Sequence, residues 1–85
     1  MHDITYTIHV VDSGGEPVED AIVYISYKGG TWDKDETDSD GEVSFECSNF
    51  MWPFVEGTVQ VNGTEVGEFT AEDGDSFSFT LPDDD

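Results

Sequence analysis

The sequence predicts an all-β fold, an antiparallel Greek-key β-sandwich of seven strands with six to eight as the range. Short runs in which apolar and polar residues alternate follow one another along the chain. Clusters of Gly, Asp, Asn and Pro separate these runs at intervals of about ten residues, which is typical of a two-sheet sandwich. No window of helical length has apolar residues that recur every ~3.6 residues. The 85 residues suffice for one domain, expected over 1–82, with an acidic tail at 83–85.

The first two strands are separated by a dense cluster of turn residues. The segment 4–10 alternates between apolar and polar residues, which predicts a strand with one buried face. The segment 12–17, Asp-Ser-Gly-Gly-Glu-Pro, predicts a turn. The segment 21–27 is β-branched and aromatic, so it is expected as the second strand, and the glycines at 29–30 end it.

The third and fourth strands surround an acidic turn. A short strand is expected over 31–36, and Thr-Asp-Ser-Asp-Gly at 37–41 predicts the turn that follows. The segment 42–47 alternates again, as a half-buried strand does. The aromatic segment 49–54 contains Pro53, which predicts a loop.

An asparagine–glycine pair predicts the hairpin between the fifth and sixth strands. The pair Asn62-Gly63 is a strong signal because a type I′ turn needs positive φ at both positions. It joins the alternating segment 55–61 to a returning strand over 65–70. A further acidic turn leads to the last strand, 77–81.

The charge balance is extreme and excludes several functions. Two lysines, no arginine and 21 acidic residues give a formal net charge of −19. We therefore expect no binding to nucleic-acid phosphates. No stretch reaches the ~20 apolar residues of a membrane-spanning helix, so we expect no membrane association. No signal peptide opens the chain, which favours a cytoplasmic location if the chain is complete.

We interpret the acidity as adaptation to molar salt. Screening shortens the reach of charge repulsion from ~10 Å at ~0.1 M salt to ~3 Å at ~1 M. Acidic residues are spread over every loop, which favours this interpretation. The alternatives are a partner with a strongly basic face and mimicry of nucleic-acid charge.

Two turn signatures resemble those of transthyretin-like, carboxypeptidase-regulatory-type domains. The segment 11–25 resembles the opening of that family, a strand, a D-x-x-G-x-P-V-x-x-A turn and a V-x-V strand. The segment 37–45 resembles the T-D-x-x-G-x-F/V hairpin of the same family. The chain departs from it in the third strand and in the aromatic loop 50–54. The resemblance implies a seven-stranded prealbumin-like sandwich, transthyretin-like or immunoglobulin-like in class, and a non-catalytic accessory module.

A cluster of carboxylates between residues 33 and 42 is one of the patterns that indicate a calcium site. Oxygen donors at this density suit Ca²⁺, with Asp33, Asp35, Asp38 and Asp40 as candidate ligands. The pattern is not that of an EF-hand, because Cys47 stands where a bidentate glutamate belongs. An acidic turn that holds no ion is the alternative, and no other cofactor is expected.

The aromatic residues have two interpretations. Trp32, Phe50, Trp52 and Phe54 are candidates for a platform that stacks sugar faces. Alternatively, the loop 50–54 folds over the open end of the sandwich and Trp52 closes it. We favour this closure, because a small core gains most from burying large rings.

An outward-facing apolar pair predicts a contact surface. Ile22 and Tyr24 are out of phase with Ala21, Val23 and Ile25, so they face outward if those three face the core. This favours docking of a protein partner or of a second copy. Scattered apolar residues are also common on surfaces, which is the alternative.

The expected function is that of a non-catalytic accessory or binding module adapted to high salt, and not that of an enzyme. Carbohydrate- or Ca²⁺-dependent ligand binding through Trp32, Trp52 and the segment 33–42 is the alternative. Asp12-Ser13-Gly14 has the form of an aspartic-protease signature, but a turn capped by Asp12 accounts for the same residues.

Overall fold

Seven strands make up the fold of the described residues, 2–49 and 53–81 of a computed structural model. They are β1 (His2–Val11), β2 (Ile22–Tyr27), β3 (Trp32–Glu36), β4 (Glu42–Asn49), β5 (Phe54–Val61), β6 (Thr64–Glu72) and β7 (Ser76–Thr80). The predicted all-β sandwich is confirmed. Among the described residues there is no helix that is long and apolar enough to cross a membrane.

The strands form two sheets. The three-stranded sheet has the order β4-β1-β7, and the four-stranded sheet has the order β3-β2-β5-β6. One pair departs from the antiparallel expectation, because β1 and β7 run parallel, with Thr7 opposite Ser76 and Val11 opposite Thr80. Parallel neighbours need a long connection. Here the whole four-stranded sheet and β4 lie between β1 and β7 in the sequence, so the connection is available.

Alternate residues of the strands meet between the two sheets. β1 contributes four of them, Ile4, Tyr6, Ile8 and Val10, each at most 1% exposed. From the facing sheet, Val23, Ile25, Val59 and Val61 are fully buried. The period-two pattern of the sequence therefore predicted the core residues of these strands, because successive side chains of a strand point to opposite faces.

The strand ends agree with the turn chemistry of the sequence. Asn62 has φ 51° and Gly63 has φ 86°, so the predicted hairpin between β5 and β6 is confirmed. β6 is longer than expected, reaching from Thr64 to Glu72. β4 ends at Asn49 and β5 begins at Phe54, and the residues 50–52 between them lie outside the described part of the chain.

The two turns that carry the family resemblance lie against each other. The N–H of Val10 donates to the carbonyl of Gly41 over 2.8 Å. A Cβ added to Gly41, which has φ 75°, would lie 2.6 Å from the carbonyl oxygen of Val10 and 3.0 Å from the Cβ of Pro17. Only glycine fits this close approach.

A buried threonine fastens the second turn to the start of β2. Thr37 is 3% exposed. Its Oγ1 accepts from the N–H of Ala21 over 2.9 Å and donates to the carbonyl of Val18 over 2.6 Å. Asp12 has a comparable local role, since its Oδ1 accepts from the N–H groups of Gly14 and Glu16. These motif residues therefore stabilise the turns of the fold.

Candidate functional site

The outer face of the four-stranded sheet is the strongest candidate site. Val23 and Ile25 are fully buried, so Ile22, Tyr24 and Ser26 point away from the core. Paired residues on adjacent strands share a face, which adds their partners on β3 and β5. We call this surface the platform face, and its members are Ile22, Tyr24, Ser26, Trp32, Lys34, Glu36, Thr58 and Gln60.

Two stacked aromatic rings occupy the centre of the platform face. The ring centroids of Tyr24 and Trp32 lie 5.8 Å apart, and the ring planes are inclined by 18°. Ser26 lies opposite Trp32 in the register, so the two rings are diagonal neighbours on adjacent strands. Trp32 is 62% exposed and Ile22 is 42% exposed. The outward position of Ile22 and the exposure of Trp32 agree with the sequence predictions.

Both lysines of the chain belong to this side of the molecule. Lys34 lies opposite Tyr24. Lys28 follows the buried Tyr27, and its Nζ lies 2.8 Å from Oε2 of Glu56. The bond to Glu56 raises the pKa of Lys28. The pair is exposed and contributes little to stability, but it places charge at the rim of the platform face.

The acidic turn brings together part of the predicted calcium site. One carboxylate oxygen from each of Asp38, Asp40 and Glu42 lies within 4.8 Å of the other two, and all three residues are exposed. That group includes neither Asp33 nor Asp35. Glu42 belongs to the acidic segment 33–42 that the sequence singles out, but it is not among the four ligands named there. The alternation of acids at 38, 40 and 42 was the signal for it.

Asp33 and Asp35 lie elsewhere because they belong to the edge strand β3. They pair with Ile25 and Val23, so they lie on the inner side of β3, whereas Trp32 and Lys34 lie on the outer side. The Oδ1 of Asp33 accepts from the N–H of Lys34 over 2.9 Å.

Local hydrogen bonds account for the position of Asp38 without an ion. Its Oδ1 accepts from the N–H of Asp40 over 2.9 Å and from the N–H of Glu42 over 3.0 Å. This is the pattern of an Asx turn, in which a side-chain carboxylate caps the backbone that follows it. Asp38 thus has a structural role in the turn that is sufficient to order it.

Of the three remaining aromatic candidates, one lies among the described residues. Phe54 is half-buried at the start of β5, while Phe50 and Trp52 lie outside the described residues.

Cys47 is half-buried beside a shallow pocket of about 190 Å³ that Tyr27 and Val55 also line. Burial raises the pKa of the Cys47 thiol, which disfavours the nucleophilic thiolate.

Tyr24 is the aromatic partner of Trp32, and sequence reasoning treated these two residues separately. The sequence pattern assigns Tyr24 to a contact surface and Trp32 to a sugar platform. The strand register places both on one face, and no spacing within a single strand could reveal a neighbour on the adjacent strand.

Comparison with known proteins supports the fold alone. No protein-family model matches the chain, and no curated protein matches it. Among solved structures, the chain is similar to an intradiol ring-cleavage dioxygenase from Tetranychus urticae, with a TM-score of 0.53 and 14% sequence identity. The match covers 95% of this chain and 79% of that chain. At this identity the similarity shows a shared β architecture and carries no activity from one protein to the other.

Proposed function

We propose that this chain is a non-catalytic accessory module that docks a protein partner on its platform face. The observation that carries the proposal is the stacked pair of the half-buried Tyr24 and the 62% exposed Trp32 on this face, in a chain of net charge −19. Tryptophan and tyrosine dominate the energetics of protein interfaces when a partner excludes water from them.

The surroundings of the aromatic pair have the anatomy of an interface. The centre adds the aliphatic side chain of Ile22 and the neutral polar side chains of Thr58 and Gln60. Charged groups surround these side chains, among them Glu36 opposite Ile22 and the ion pair of Lys28 and Glu56. Aromatic and aliphatic side chains within a charged rim are typical of a docking surface.

The proposed high-salt setting favours an apolar docking surface of this kind. At ~1 M salt, attraction between charges on two proteins is screened beyond ~3 Å, whereas burial of aromatic surface still stabilises a complex by ~25 cal/mol per Å². The resemblance of the two turns to accessory domains of carboxypeptidase-regulatory type supports the same proposal.

Site-specific cross-linking tests the proposal. A photoreactive residue at position 58 should capture a partner from an extract of the producing organism at ~1 M salt. Trp32→Ala and Tyr24→Ala should each abolish the capture. The matched control places the photoreactive residue at Ser44, on the exposed face of the three-stranded sheet. Capture that survives both alanine variants, or that is equal from position 44, contradicts the proposal.

Carbohydrate binding is the second candidate, favoured by the exposed ring of Trp32. Flat aromatic rings stack on the apolar faces of sugars. In a Trp52→Phe variant, the fluorescence of Trp32 reports on that ring alone, because these are the two tryptophans of the chain. Saturable changes on titration with soluble oligosaccharides, lost on Tyr24→Ala, would favour the sugar. An unchanged spectrum would leave the protein partner as the occupant of the face.

A further inference from the structure

The edge strand β7 is unprotected in a way that the other sheet edges are not. The edges of the two sheets are β4 and β7, and β3 and β6. Ionised side chains lie on β3, β4 and β6, and such charges block the pairing of a further strand. β7 reads Ser-Phe-Ser-Phe-Thr and carries neither charge nor proline. Its short length of five residues is its main protection.

The outward edge of β7 offers backbone hydrogen-bonding groups. On the inner edge, the N–H of Thr7 donates to the carbonyl of Asp75 over 3.0 Å, and the N–H of Leu81 donates to the carbonyl of Val11 over 2.7 Å. These two bonds fix the hydrogen-bonding pattern of the parallel pair. The backbone N–H and C=O groups of the odd-numbered residues of β7 therefore face β1. The N–H and C=O groups of Ser76, Ser78 and Thr80 therefore point away from β1. No strand of the described residues pairs on that side.

The side chains of β7 determine which kinds of residue an added strand would place against them. Phe77 and Phe79 are half-buried and pack against the core, whereas Ser76, Ser78 and Thr80 are exposed on the outer face. Side chains on paired strands share a face. A strand beside β7 would therefore place apolar residues next to the two phenylalanines and hydroxyl residues next to the serines and the threonine.

Phe79 is held in position by the facing sheet. A Cβ added to Gly67 of β6 would lie 2.8 Å from Cε1 of Phe79, so the ring packs directly on the glycine. Val66, the residue before Gly67, is half-buried and packs against the core. The ring of Phe79 therefore has a fixed position beside the edge of β7.

We propose that β7 binds an extended segment of a partner protein as an added strand, with alternating apolar and hydroxyl residues and with flanking basic residues. Asp73 and Asp75 directly precede β7. A second copy would bring a further net charge of −19 to this edge. Charge complementarity therefore favours a segment with flanking basic residues over a second copy. This surface lies on the sheet opposite the platform face and is independent of it.

The test uses a designed peptide of alternating threonine and valine with lysine pairs at both ends. Binding is measured by calorimetry on the wild type and on two variants. Ser78→Pro removes an outward N–H and leaves the bonds to β1 intact, as proline is tolerated on the open side of an edge strand. Ser78→Thr keeps the N–H and is the matched control. We expect Ser78→Pro to weaken binding at least about tenfold and Ser78→Thr to leave it unchanged.

Hydrogen exchange on the wild-type protein gives a second readout that needs no variant. The peptide should protect the amides of Ser76, Ser78 and Thr80, whether or not Ser78→Pro folds. Absence of this protection, or equal binding by Ser78→Pro and the wild type, overturns the proposal. Equal binding of a peptide with glutamate in place of lysine also overturns it. A wild-type dimer that Ser78→Pro dissociates would assign the edge to a second copy and overturn the choice of partner.

Discussion

The hydroxyl oxygens of Tyr6 and Tyr27 lie 2.5 Å apart in the buried space between the two sheets. Tyr6 belongs to β1 and Tyr27 ends β2, so this hydrogen bond joins the three-stranded sheet to the four-stranded sheet. The ring of Phe69 lies 5.0 Å from that of Tyr6 and 6.4 Å from that of Tyr27. Among the described residues, no buried side-chain nitrogen or oxygen lacks a partner, and the two hydroxyls satisfy each other.

Removing one of the two hydroxyls should lower the free energy of unfolding by more than half as much as removing both. Tyr6→Phe or Tyr27→Phe leaves the remaining hydroxyl buried without its partner, and we expect each to lower the free energy of unfolding by about 1–2 kcal/mol. The double variant leaves no unpaired hydroxyl, so its loss should be smaller than the sum of the single losses. Urea unfolding of the four proteins measures this coupling. Strictly additive losses would show that the two hydroxyls do not stabilise each other.

The same pair should make the fold sensitive to alkali. Burial raises the pKa of Tyr27 to about 12 and raises the pKa of Tyr6 as well. In the unfolded chain a tyrosine titrates near pH ~10, so above that pH the unfolded state loses protons that the folded state keeps. Stability contributed by the protonated pair is therefore complete below pH ~10 and is lost as the pH rises towards 12.

Thermal melts between pH 8 and 12 check this expectation. The wild-type Tm should fall steeply above pH ~10. The double variant Tyr6→Phe, Tyr27→Phe is the control, and its Tm should fall less over the same range because it lacks both buried phenols. Parallel curves for the two proteins would contradict the assignment of the alkaline loss to this pair.

The sequence was sufficient to predict the strands, but it was not sufficient to predict which strands become neighbours. Alternation over 4–10 identified the buried face of β1, and Asn62-Gly63 identified the hairpin, because both are local properties of the chain. The parallel pairing of β1 with β7 and the contact of Tyr6 with Tyr27 depend on which distant strands become neighbours. Local pattern does not encode that choice, so the platform face could be recognised only from the strand register.

Asp38 should stabilise the fold in the absence of calcium. Because its Oδ1 caps the N–H groups of Asp40 and Glu42, we expect Asp38→Ala to cost about 0.5–2 kcal/mol in metal-free buffer. Asp38→Asn keeps an acceptor oxygen and should cost less. Urea unfolding with a chelator present measures both variants.

Calcium and magnesium should then act alike through screening. Equal concentrations of the two ions are expected to raise the Tm equally, in the wild type and in a variant with Asp38→Asn and Asp40→Asn. Ca²⁺ tolerates irregular oxygen geometry that Mg²⁺ does not. A larger shift with Ca²⁺ that the double variant abolishes would instead establish a calcium site at Asp38, Asp40 and Glu42.

The net charge of −19 predicts a steep dependence of stability on salt. Repulsion between the exposed carboxylates is screened as potassium chloride rises from ~0.1 M to ~1 M, so the Tm should rise over this range. A variant with Glu46→Gln, Glu65→Gln and Glu68→Gln carries less charge at exposed positions and should respond less. A Tm that stays flat in the wild type would remove the proposal of adaptation to high salt.

The two tryptophans should differ sharply in their contribution to stability. The closure hypothesis for the loop 50–54 predicts that Trp52 is buried, so Trp52→Ala should cost ~3–5 kcal/mol and unfold a small domain of marginal stability. Trp32 is the internal control, because it is 62% exposed and stacks against Tyr24 on the outer face of the sheet. Trp32→Ala should cost less than ~1 kcal/mol, the range of a cross-strand pair. Urea unfolding of both variants measures these costs. A stable, folded Trp52→Ala protein would contradict closure. Trp52 would then be available as a second ring for ligand binding.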